Sequence, residues 1–443
     1  MKLKPKTIPF KSVAALSLLV AAFLLLNACT RAVRTGDIPG EAGDIISGHI
    51  AYTGLDGNMY ILNPIQRKTT QITDDASSGK RGRTEYRYPS WSFDGKSLAF
   101  VRYSGDSTGN FESTLLISNI RGNEKKSLLT TEEIVPFYLY WSPDSSSISF
   151  LSSLSSAEGL LLQVLSADGG KPSYIDMGQP FYWSWSVDSS SILTHTDGST
   201  VEKPDKAAIK LFDLTDNNYT STTLNYFPAF FQAPRHSPDG NSLLIAAEML
   251  QRHSTLVIAR NNGEPQDLLV DWQGPITFDW SPDGTRIAYV TGRPSPIGGS
   301  IGPLNILNVE DGEEKSDYQV RSSNVIAFFW SPDSSKIALF EPQIVGNGES
   351  QETFVLAVSV LNVSDGSVKK LTKIRPTRPF IGQVIPYYDQ FQRSHTIWSP
   401  DSRYIVLNGT TSDNLPGIFI VSAEGERDAD FLAYGVYPFW SWQ

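Results

Sequence analysis

From residue 48 onward, short apolar runs such as Leu256-Val257-Ile258-Ala259 and Ile287-Ala288-Tyr289-Val290 are divided by clusters of Ser, Pro, Asp and Gly. Short runs bounded by turn residues predict strands. One phrase returns throughout: WSFDGKSLAF from Trp91, WSPDSSSISF from Trp141, WSVDSSSILT from Trp185, HSPDGNSLLI from His236, WSPDGTRIAY from Trp280, WSPDSSKIAL from Trp330 and WSPDSRYIVL from Trp398. A clipped copy, Trp440-Ser441-Trp442, ends the chain, and the spacings are 50, 44, 51, 44, 50, 68 and 42 residues. That period is the length of a four-stranded propeller blade, so the length of 443 residues is expected to hold one closed domain rather than the three that size alone suggests.

Each copy reads as a strand ending on Trp, a tight turn and a second strand. Pro supplies φ near −65°, Asp bonds nearby N–H groups, and Gly tolerates positive φ. Ser145, Ser189, Ser334 and Ser402 stand where Gly is easiest, so those turns are expected to be strained or of another type. Trp91, Trp141, Trp185, Trp280, Trp330, Trp398 and Trp440 are read as wedges between neighbouring blades, with His236 as a packing substitute. Asp144, Asp283, Asp333 and Asp401 are read as turn residues, not catalytic carboxylates.

The phrase resembles the WD40-like, TolB-type (PD40) propeller repeat, over residues 48–443. In that family the Trp-bearing strand is innermost, and carried onto this chain such strands number eight. The first strand, His49-Ile50-Ala51-Tyr52, lacks a Trp-bearing partner, and Tyr437-Pro438-Phe439-Trp440 lacks a continuation. The resemblance therefore implies an all-β, eight-bladed propeller whose closing blade is shared between the two ends of the chain. TolB itself has six blades, an added N-terminal domain and no lipid, so its role in the Tol system does not carry over.

The first 28 residues depart from this pattern. Lys2, Lys4, Lys6 and Lys11 precede an uncharged run from Ser12 to Leu26, too short for a bilayer span but right for a signal peptide. Leu26-Asn27-Ala28-Cys29 resembles the bacterial lipobox and contains the only cysteine. It implies cleavage before Cys29, lipidation (palmitate among the acyl groups) of that residue, a flexible tether over 29–47, and a membrane-anchored, extracytoplasmic protein of the bacterial cell envelope. Removing a segment with four of the 37 basic residues and none of the 47 acidic ones takes the net charge from −10 to −14. Nucleic acid is not an expected partner of such a chain.

By the family strand order the Ser-Pro-Asp turns lie on one face, the turn face, and long connections on the other. The latter are 74–87, 103–113, 291–303, 341–353 and a 374–394 insertion. Binding residues concentrate on long loops, and Arg and Tyr are enriched at binding hot spots. Arg375, Arg378, Phe380, Tyr387, Tyr388, Phe391 and Arg393, with Lys80, Arg81, Arg83 and Arg87, are the candidates for contact with a protein or glycan partner. The competing reading is a solvated loop covering the propeller edge.

Catalytic signals are sparse. Gly105-Asp106-Ser107-Thr108-Gly109 matches a nucleophile elbow in letters, but lies in a strand-to-strand loop. His49, His195, His236, His253 and His395 show no metal-binding spacing, and neither a metal nor a cofactor is expected. The expectation is a monomeric, non-catalytic binding module. The alternative is a lyase or hydrolase acting on an extracellular polymer at the channel, with His195 and His395 near its mouth.

Overall fold

The computed structural model describes residues 48–443 apart from 81, 155–158, 197–206, 216–218, 230–231, 250–252, 273, 298, 310–316, 320–323, 347–351 and 426. The expected signal peptide, the tether and Cys29 lie outside the described residues.

The described chain forms seven large antiparallel sheets, mostly of four strands, and one two-stranded ribbon. The seven are the blades of an all-β propeller. This corrects the expected eight. Strand Asp430–Trp440 runs without a break and pairs at its start with Pro416–Ser422 and at its end with Ile50–Gly54. Two units that the repeat phrase counts separately are thus one six-stranded sheet, here called blade 1. No turn interrupts that strand. A positive φ at Tyr437 and register shifts against both partner strands bend it along its length. Blades 2 to 7 follow in chain order, with inner strands that end at Trp91, Trp141, Trp185, His236, Trp280 and Trp330.

All eight wedge positions are buried, at most 7% exposed. The Trp141 indole N–H donates to the Ser90 carbonyl at 3.0 Å, Trp91 to Phe439 at 3.1 Å, and Trp398 to Phe329 at 3.0 Å. In each case the acceptor is the residue just before the wedge of the preceding repeat. His236 meets the corresponding residue of the preceding repeat through a side chain instead, its Nδ1 lying 3.4 Å from the Ser184 hydroxyl.

On the turn face, Ser186 donates to Asp188 at 2.6 Å and Ser190 N–H at 3.0 Å, holding that carboxyl down at about 2. The four motif serines do adopt positive φ, between 58° and 62°. Their hydroxyls explain why glycine is not needed. Ser145 accepts the Asp94 N–H of the preceding blade at 3.1 Å, and Ser189, Ser334 and Ser402 accept those of Asp144, Asp283 and Asp333 at 3.0–3.1 Å. Each serine exchanges backbone strain for an inter-blade bond. Ser334→Ala keeps the strain and loses the bond, so a destabilisation of about 1 kcal/mol is expected. Ser334→Gly loses both, and relief of the left-handed strain, about 1 kcal/mol, should leave it near wild type. Urea unfolding of the two variants reads the difference, and equal losses would refute this account.

The connections expected to be long and irregular are largely ordered. Segment 103–113 is the tip of a hairpin formed by Ser97–Asp106 and Phe111–Asn119, and of 341–353 the residues 341–345 and 353 lie in the paired strands Lys336–Val345 and Thr353–Asn362. The first hairpin is paired along its length with Gly82–Trp91, whereas the second runs past its inner strand Ala327–Trp330.

Candidate functional site

The 374–394 insertion determines the character of this face, and it does so by leaving it. After strand Val368–Ile374, Thr377 is tied to Asn408 through its hydroxyl at 2.7 Å. The chain then coils through a π-turn, Phe380–Val384, a 3-10 turn, Ile385–Tyr387, and a helix, Tyr388–Ser394. Phe380, Val384, Tyr388 and Phe391 are all buried. Their spacing is that of one helical face. Asp389 in the first turn and Arg393 in the last suit the helix dipole.

This helix plugs the central channel. Tyr388 donates to Thr277 of blade 6 at 2.6 Å, and the Tyr138 hydroxyl of blade 3 lies 2.6 Å from that of Ser394. The Gln390 amide accepts from Trp183 N–H at 3.1 Å and donates to Trp183 C=O at 2.8 Å, pairing with the inner edge of blade 4 as another strand would. Arg393 donates to the Pro234 and Ala233 carbonyls of blade 5 at 2.6 and 2.8 Å.

The plug brings charge into the core. Asp279, 2% exposed, accepts from Arg235 and lies 3.8 Å from the Arg393 guanidinium. Asp389 accepts the N–H groups of Ala233 at 3.2 Å and Gln390 at 3.0 Å, yet burial raises its pKa to about 6.

The sequence candidates therefore separate. Phe380, Tyr388, Phe391 and Arg393 are inside, so the structure removes them from the exposed face. Tyr387 remains 47% exposed beside Tyr182, and Arg378 and Lys80 are exposed. Arg375 is half-buried, donating to the Thr411 carbonyl at 3.0 Å and the Asn414 amide oxygen at 2.8 Å. It borders an open groove of about 400 Å³ with Pro376, Ile381, Glu352, Thr353 and Phe354. Arg83 and Arg87 flank Glu85 on blade 2, and Arg81 lies outside the described residues. Tyr88 beside Tyr437, with Tyr437 donating to Gln383, links these two neighbourhoods.

Sequence reasoning missed Phe354 and Ile344, a cross-strand pair on the blade 7 hairpin that is 36% and 62% exposed. The available signal was an apolar alternation running past the length a blade needs.

The channel histidines are engaged internally. His195 Nδ1 lies 2.8 Å from the Gln232 carbonyl, and His395 sits between the Ser394 hydroxyl at 2.6 Å and the Pro89 carbonyl. Burial lowers the His395 pKa to about 3. Among the described residues there is no cluster of His, Cys, Asp and Glu fit to hold a metal, and no helix long and apolar enough to cross a membrane.

No protein-family model matches the chain, and no curated protein does. Solved structures are similar in fold. TolB from Acinetobacter baumannii aligns at 18% identity over 75% of this chain and 77% of its own, with a TM-score of 0.36. The β-propeller domain of the Trilobed protease from Pyrococcus furiosus aligns at 15% identity over 81% and 97%, with a TM-score of 0.45. A eukaryotic initiation factor aligns at 13% identity over 89% and 98%, with a TM-score of 0.50. The similarity is one of fold alone.

Proposed function

We propose that the protein is a membrane-anchored, extracytoplasmic lipoprotein whose propeller binds a protein or envelope glycan without catalysing a reaction. The observation that carries this reading is the plug. An enzyme centred on the channel needs polar groups free to meet substrate, and here His195, His395, Asp389 and Gln390 bond to the protein itself. The groove beside Arg375, by contrast, opens outward between a projecting hairpin and the start of the insertion. It combines the Arg375 guanidinium, a group enriched at binding hot spots, with the exposed Phe354 ring and the Glu352 carboxylate.

The anchor accords with the geometry at the start of the propeller. Gly48 packs against Pro400 in a Ser-Pro-Asp turn, and His49 N–H donates to the Ser441 hydroxyl at 2.9 Å. The chain enters on the turn face, so a lipid tether at Cys29 turns the groove away from the bilayer.

The test is capture of partners from envelope extracts by the full chain, with the eluate analysed for proteins and glycans. Arg375→Ala, Arg378→Ala and Tyr387→Ala together should weaken capture at least tenfold while the melting temperature holds. Charge changes in the exposed parts of the turns should leave capture intact. Normal capture by the triple variant would overturn the assignment of the face. Cys29→Ala should release the protein from membranes or leave an uncleaved precursor.

A further inference from the structure

On the turn face, beside the point where the chain enters, a cavity of about 260 Å³ lies between blade 1 and blade 2. Its walls come from three adjacent strands and a turn. Ile50 pairs with Leu62, so His49 stands one step further opposite Asn63; Asn63 pairs with Lys68, and Ile61 with Thr70. His49, Asn63 and Lys68 thus form a row across the sheet edge, with Thr70 in the next row. Arg121 closes the cavity from the Asn119–Gly122 turn of blade 2, and Ile61 and Ile120 form its apolar floor.

The chemistry of this lining is one-sided. Lys68 and Arg121 carry fixed positive charge, and His49, Thr70 and the Gln66 amide each offer a polar hydrogen. The side-chain oxygen of Asn63 already accepts the N–H groups of Ile65 at 3.1 Å and Gln66 at 3.0 Å, which leaves its NH₂ group as a donor. Among the described residues, no Asp or Glu lines the cavity. In a chain of net charge −10, a pocket of cations and donors without a carboxylate is set apart from its surroundings. Such donors suit an oxyanion, which accepts several charge-assisted hydrogen bonds at once.

We propose that this cavity binds a phosphate group. The carrier is either a phospholipid headgroup or a soluble phosphate ester. The site does not depend on the partner-binding face proposed above. The headgroup source alone draws on the membrane anchor.

Titration calorimetry on the full chain in non-ionic detergent tests it, with inorganic phosphate, glycerol 3-phosphate and dihexanoyl-phosphatidylglycerol as probes. Saturable binding is expected, weakened at least tenfold by Lys68→Gln with Arg121→Gln. Both side chains are exposed, so the melting temperature of that variant without ligand should match wild type. A tenfold preference for the short-chain lipid over glycerol phosphate assigns the headgroup, and equal affinities assign a soluble ester. The Arg375, Arg378 and Tyr387 variant should bind phosphate normally, which separates this site from the partner face. Absence of saturable binding by all three probes, or binding unchanged in the Lys68 and Arg121 variant, would overturn the proposal.

Discussion

Deleting Tyr434–Gln443 is expected to unfold the propeller or drive it into aggregates. This segment is the inner strand beside Ile50–Gly54, pairing Trp440 with Ile50 and Phe439 with Ala51. It also serves its neighbours: the Phe439 carbonyl accepts the Trp91 indole, Trp440 N–H donates to Thr396, and Trp442 stacks on Phe93 with centroids 4.9 Å apart. Removing a buried Phe or Trp side chain costs about 3–5 kcal/mol. Losing Phe439 and Trp440 together is thus comparable with the whole stability of a domain, about 5–15 kcal/mol. The deletion also strips a partner from Ile50–Gly54 and leaves its edge open to other chains. Thermal unfolding with size-exclusion chromatography checks this. A truncated protein that stays monomeric with an unchanged melting temperature would contradict it.

The repeat phrase made the architecture legible because each of its letters does one physical job. The indole fills the space between blades, the Asp collects N–H groups at the turn, and the alternation that follows forms the next strand. The blade number was less legible. The phrase marks where inner strands end, but not whether a turn separates one sheet from the next, and the unbroken Asp430–Trp440 fuses two units into one. The insertion was less legible for a different reason. Residue type alone points its arginines and tyrosines to the surface, yet Phe380, Val384, Tyr388 and Phe391 recur at helical spacing and fill a channel that any propeller has to close or leave wet. Arg393 shows the limit of residue type as a guide, since two backbone carbonyls and Asp279 make an interior place for it. Ser145 and its counterparts show the reverse. A residue that looks wrong for its backbone conformation has a partner one blade away, which no local pattern records.

Mild acid should destabilise the protein steeply, and two buried imidazoles are the main cause. Burial holds His236 at about 4 and His395 at about 3, against about 6.5 for an unfolded histidine. The folded chain refuses protons that the unfolded chain accepts, so stability is full above pH 6.5 and falls as the pH drops towards the folded values. At about 1.4 kcal/mol per pKa unit, each histidine withdraws about 2 kcal/mol by pH 5. Asp389 works against them. Its pKa is raised to about 6 by burial, despite the attraction of Arg393 and bonds from Ala233 and Gln390. The folded state therefore binds its proton first, and stability is regained between pH 6 and 4, about 1 kcal/mol by pH 5. The net loss from pH 8 to pH 5 is about 3 kcal/mol, a large share of a typical domain's stability. Urea unfolding across this range measures it. His236→Trp, which restores the residue that the other repeats use, should cut the loss by about 2 kcal/mol whatever it does to stability at pH 8. Asp389→Asn should deepen the loss by about 1 kcal/mol. Identical pH slopes in wild type and both variants would show that neither His236 nor Asp389 contributes to the acid response.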